Sequence, residues 1–184
     1  MIKVIIDLII KIKIIYENGI MSNTISNNRF KKNDYLKLSN GATDVLVDVL
    51  VLSGSSLAQT RWQKELIIFL SLNDQEIKGQ GCVGFDISDL GWEMDHFENQ
   101  KKFLLKVIDS ALTKKNWKKL NYKPTEEYKS NLRRLREMII KYSKILVEPR
   151  DILKWNKEFN KIELKKCVKH DVYMHPFGCK ICHS

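Results

Sequence analysis

Long uninterrupted apolar runs are missing from this chain of 184 residues. The nearest approach is residues 1–16, MIKVIIDLIIKIKIIY, which is too short to span a bilayer and is broken by Asp7, Lys11 and Lys13. The same stretch lacks the order of a signal peptide: charge first, then an unbroken apolar core, then small residues at a cut. No membrane role is expected, and a reducing cytoplasm is the natural compartment. MSNTISNN reads as an ordinary polar N-terminus, so translation is expected to start at Met21, with residues 1–20 an extension.

Cysteine is also scarce. The chain has four, and three of them fall in its last eighteen residues, which is not a disulfide framework. Catalytic signatures are lacking too. No nucleophile triad stands out, and the glycine-rich stretch GQGCVG at 79–84 lacks the Lys-Ser/Thr that would make it a phosphate-cradling loop. Cys82 within that stretch reads as a small buried apolar residue. An enzyme is therefore not the leading expectation.

What the chain does have is a ligand pattern at its end. Cys167 and His170 are separated by two residues, and so are Cys179 and Cys182, with eight residues between the pairs. C-x2-H followed by C-x2-C can wrap one tetrahedral Zn2+ with three sulfurs and one nitrogen, which leaves no open position and marks a structural site. Gly178 allows a tight turn before the second pair, and Pro176 restricts the loop. Lys165, Lys166, Lys169 and Lys180 flank the ligands and favour thiolates. Competing readings are a redox Cys179/Cys182 pair and unliganded thiols. His175 or His183 could replace His170 as the fourth ligand.

Charge is unevenly spread. The net value is +10, but residues 41–110 carry six basic and eleven acidic groups, whereas residues 111–184 carry nineteen and eight. The basic half could meet nucleic acid. KKNWKKLNYK at 114–123 interleaves five lysines with Trp117 and Tyr122, a pattern that suits phosphates and stacked bases. The blander account is a lysine-rich solvated surface with Trp117 closing the edge of the core. Asp86, Asp89, Glu93, Asp95 and Glu98 crowd the start of a helix, where acids favour the macrodipole. They could instead form a carboxylate site with His96, or an acidic docking face for a basic protein.

The pattern of elements predicts an α+β fold, mainly helical with a small sheet and a C-terminal zinc-binding loop. Residues 1–40 read as a lead-in, with 22–42 a polar linker, residues 41–160 as the core and 161–184 as the metal loop. Thr43–Leu52 (TDVLVDVLVL) fits both a buried strand and a buried helix. Thr60 and Gln63 form a capping box for a helix over 61–72. Residues 76–87 read as a strand with a close backbone approach or a bulge at its glycines. Helices are expected over about 93–113 and 126–147, and a short one capped by Asp151. The function expected is a non-enzymatic protein-binding module, for instance an inhibitor or immunity protein neutralising a toxin. The alternative is a nucleic-acid binder using the basic half and the zinc loop.

Overall fold

The computed structural model describes residues 23–27 and 34–183, without the side chains of residues 150, 151 and 153. The Ile/Lys-rich segment 1–20 and the start at Met21 lie outside the described residues.

The chain is a mainly helical domain with seven α-helices and a small open sheet among the described residues. Its axis is α1 (Asn40–Leu57), which Ser39 opens by accepting the Ala42 N–H at 3.2 Å. Val47, Val49, Leu50 and Val51 are all at most 2% exposed. A helix apolar on every side belongs in the middle of a core, not on its surface. This settles Thr43–Leu52 as helix: alternating valines and intervening leucines are both inside, so neither periodicity could decide. Around α1 pack α2 (Arg61–Ser71), α4 (Phe97–Leu112) and α5 (Tyr128–Lys141). The capping box forms as expected. Thr60 Oγ1 accepts the Gln63 N–H at 3.3 Å, and Gln63 Oε1 accepts the Thr60 N–H at 3.1 Å. Short α3 (Gln75–Lys78), α6 (Pro149–Phe159) and α7 (Lys180–His183) complete the set.

The polar stretch read as a linker contributes two strands. β1 (Thr24–Ser26) pairs antiparallel with β2 (Tyr35–Lys37) and parallel with β3 (Phe85–Asp86), giving the order β2-β1-β3. Ile25 and Leu36 supply the few buried apolar contacts that hold it. The close approach expected at a glycine falls at Gly84, where a Cβ would collide with the Thr24 carbonyl. The strand is much shorter than residues 76–87, because α3 takes the first part and a glycine loop follows. The spacing G-x-G-x-x-G at 79–84 thus lies after a helix and before a strand, the reverse of a dinucleotide-binding turn. Cys82 is exposed in this loop, contrary to expectation. Val83, at 2%, takes the inward position instead.

The long helix over 126–147 stops at Lys141. Lys101 Nζ donates to the carbonyls of Ile140 and Tyr142 at 2.8 and 2.7 Å, closing the helix end. Tyr142 then turns inward and stacks on Trp92 with ring centroids 5.5 Å apart. α6 begins at Pro149 with Glu148 as its flanking residue, so Asp151 lies inside the helix and not at its cap. Among the described residues no helix is long and apolar enough to cross a membrane.

Candidate metal centre

The C-terminal segment crosses back over the core after α6. Lys166 and Tyr173 form an isolated antiparallel bridge, in which the Cys167 N–H donates to Val172 O at 2.8 Å. Between them the chain turns on itself, with the Asp171 N–H donating to Cys167 O at 2.8 Å and Asp171 at φ +55°. This turn brings Cys167 and His170 to one side. A second turn follows, in which the Gly178 N–H donates to His175 O at 3.0 Å and the Cys182 N–H to Cys179 O at 2.9 Å. It places Cys179 and Cys182 opposite the first pair. The segment is anchored on α1 through Ser55 Oγ, which accepts the Tyr173 N–H at 3.0 Å, and through fully buried Val172.

The four expected ligands meet. His170 Nδ1 lies 3.9, 3.6 and 3.4 Å from the sulfurs of Cys167, Cys179 and Cys182, and Cys167 Sγ lies 3.9 Å from Cys182 Sγ. All four ligand atoms fall within 4.8 Å of one another. A tetrahedron with metal–sulfur bonds of about 2.3 Å and a metal–nitrogen bond of about 2.0–2.1 Å has edges of roughly 3.5–3.8 Å. The observed edges fit such an ion, and the cysteines are free thiols, not disulfides. Cys167, His170 and Cys179 are buried and Cys182 is at the rim. Burial pushes the Cys179 thiol up to about 12. Burial also opposes ionisation of Cys167, but the backbone N–H groups of His170 and Lys169 and the neighbouring sulfurs bring its thiol below the usual value. Burial, with Lys169 and Lys119 nearby, keeps His170 neutral and able to donate its lone pair. A buried cluster of this kind needs a cation to hold more than one thiolate.

The other histidines go elsewhere. His175 and His183 do not join the sulfurs; they meet Asp74 in a second group. Lys180, expected to face the thiolates, points the other way. Its ammonium sits 3.3, 3.5 and 3.8 Å from carboxylate oxygens of Asp44, Asp48 and Asp74, with its side chain 3% exposed. Tyr122 donates to Asp48 Oδ2 at 2.8 Å, and Gln75 Nε2 donates to Asp44 Oδ2 at 2.8 Å. These residues line a cavity of about 500 Å³ together with Glu76, Tyr128 and His183. Sequence reasoning missed this charged pocket. Its signal was there: Asp44 and Asp48 are four residues apart in an otherwise apolar helix, and so share one face.

The residues expected to meet a partner are dispersed. Asp86 is buried at 6%, accepting from Ser26 Oγ at 2.7 Å and from the Ser88 N–H at 2.8 Å. Asp89 is half-buried, in the turn Ile87–Asp89. Glu93 is half-buried, while Asp95, His96 and Glu98 are exposed around Met94, which is 42% exposed. Trp117 is core, 7% exposed, with Lys114 Nζ 5.5 Å above its ring. Tyr122 is half-buried on the pocket wall. No known protein family, curated protein or solved structure matches this chain.

Proposed function

We propose that this chain is a non-enzymatic protein-binding module whose C-terminal segment is fastened by a structural Zn2+ at Cys167, His170, Cys179 and Cys182. Three thiolates and one imidazole in a tetrahedron suit zinc better than harder cations, and four protein ligands leave it no catalytic position. The observation that carries the docking reading is the head of α4. Exposed Met94 lies there in a short stretch of sequence with Glu93, Asp95 and Glu98, an apolar side chain among acidic ones. Such a surface steers and seats a basic protein. An inhibitor or immunity protein covering a basic toxin domain has this chemistry. By contrast, the rings that a stacked nucleic acid would use are engaged: Trp117 is packed in the core and the Tyr122 hydroxyl is bonded to Asp48.

The test is capture from the native host with and without nuclease, using the wild-type chain and a Glu93→Lys, Asp95→Lys, Glu98→Lys variant. The expected result is a basic protein that survives nuclease, is lost in the variant and elutes with salt. Capture that is abolished by nuclease, or is indifferent to the charge reversal, overturns the reading. Metal analysis of the purified chain tests the zinc.

A further inference from the structure

Asp74, His175 and His183 come from three separate places in the chain and converge beside the charged pocket. Asp74 precedes α3, His175 lies in the loop between the two cysteine turns, and His183 ends α7. Asp74 Oδ2 is 3.3 Å from His183 Nδ1 and 4.0 Å from His175 Nε2. The three ligand atoms lie within 4.8 Å of one another. The side chains of His175 and Asp74 are 0% and 1% exposed. His175 Nε2 is buried with no hydrogen-bond partner and faces the cluster. A ring nitrogen without a partner in that position is unusual in a folded protein.

The surroundings fit a cation. Asp74 Oδ1 is held by the Glu76 N–H at 2.9 Å and by Lys180 at 3.8 Å, which leaves Oδ2 turned to the histidines. This division of a carboxylate between an orienting contact and a ligand atom is usual around bound metals. Four carboxylates but only one ammonium line the adjoining pocket, so a divalent ion there improves the charge balance. Gly178 makes room for the His183 ring: a Cβ at that position would stand 3.1 Å from His183 Nε2. Burial keeps His175 uncharged, at about 4, so at neutral pH its ring carries one proton and not two.

We propose that Asp74, His175 and His183 form a second metal site, which binds one divalent transition-metal ion through a carboxylate oxygen and two imidazole nitrogens and keeps its remaining coordination open to the pocket. Two imidazoles and a carboxylate suit zinc or iron(II), and three protein ligands leave room for water or a small anion. This site shares no ligand with the Cys167, His170, Cys179, Cys182 set and does not depend on the docking reading. Loading has a signature. The Phe177 N–H donates to His175 Nδ1 at 3.2 Å, so neutral His175 carries its proton on Nε2. Binding through Nε2 moves that proton to Nδ1 and gives up the Phe177 hydrogen bond. The two N–H groups would then face each other, so the loop at 175–178 must shift, a cost that metal–ligand bonding offsets.

The experiment titrates the full metal-free chain with Co(II), following absorbance and bound metal, and in parallel with diamagnetic Zn(II), following the ring-nitrogen NMR of His175. Two equivalents are expected. One brings thiolate-to-cobalt charge transfer. The other adds none of it, but switches the His175 tautomer. His175→Gln and Asp74→Asn each drop the total to one equivalent and keep the charge-transfer band. If a variant fails to fold, the tautomer readout in the wild type decides. Saturation at one thiolate-bound equivalent overturns this proposal and leaves the structural site standing. A second equivalent that leaves the His175 tautomer unchanged, or is retained by both variants, also overturns it. No bound metal at all overturns both sites.

Discussion

The core around α1 and the C-terminal segment are held by opposite means. The core relies on burial. Leu66, Ile67, Ile68, Val107, Ile108 and Leu132 are all completely inaccessible to solvent, and few polar groups interrupt them. Burial of this kind is non-directional and adds about 25 cal/mol per Å² of apolar surface. Residues 165–183 contribute a smaller apolar set, with Val172, Tyr173 and Ile181 their main inward side chains, while Val168 is fully exposed. Beside these and the cysteines they bury three polar groups, His170, His175 and Lys180. Directed contacts specify a geometry, but each is worth little until its partner is in place. The difference implies that the core folds by itself and that the segment is conditional on its charges and on the metal proposed for it.

The largest expected effect breaks that pairing outright. Chelation, or Cys179→Ser, removes a closed metal site, and structural zinc contributes roughly 10 kcal/mol or more to small metal-folded units. Amides of 165–183 are expected to lose nearly all protection from hydrogen exchange, while those of α1 and α2 keep theirs. A core that melts together with the segment contradicts the division. Next comes Lys180→Met. It leaves Asp48 and Asp74, both buried, without their shared cation, at a cost of about 3–5 kcal/mol in urea unfolding. Since Lys180 bridges the two regions, both should loosen. Leu50→Ala then tests the core alone. Leu50 is 1% exposed, and the cavity is expected to cost about 2–5 kcal/mol in global stability, with metal bound per folded chain unchanged.

Directed groups were also the easier part to read in the sequence when they were close in the chain. C-x2-H and C-x2-C encode turns, and the turns are there, as is the Thr60/Gln63 cap. The helix of Thr43–Leu52 could not be told from a strand, because full burial removes the periodicity that distinguishes them. Two strands were missed in a polar stretch, since three-residue strands with one buried apolar side chain each leave almost no pattern. The charged pocket was illegible for another reason. Asp44, Asp48, Asp74, Tyr122 and Lys180 are distributed over most of the chain, and only the fold assembles them. Lys180 illustrates the point. Lying between two cysteines, it reads as charge compensation for thiolates, yet the four-residue α7 turns it away from them and into the pocket.

The smallest effect sharpens the boundary between the two regions. Tyr122 lies outside both, and its hydroxyl donates to Asp48 at 2.8 Å. Burial raises its pKa far above the ordinary phenol value, and the Asp48 carboxylate adds to that, so it acts as a donor throughout the stable pH range. Tyr122→Phe keeps the ring and deletes only that bond. The expected loss is about 1–3 kcal/mol, because Asp48 is 0% exposed and its carboxylate loses a hydrogen-bond donor. Bound metal should not change. The informative comparison is the double variant with Lys180→Met. Both substitutions act on the Asp48 carboxylate, so their costs should not add, differing from the sum by at least 0.5 kcal/mol or so. Paired with Leu50→Ala instead, Tyr122→Phe should couple much less, because apolar packing does not respond to the charge on one carboxylate. Equal coupling in the two cycles would mean that the pocket and the core form one cooperative unit, and the contrast between burial and directed contacts would then describe composition without describing stability.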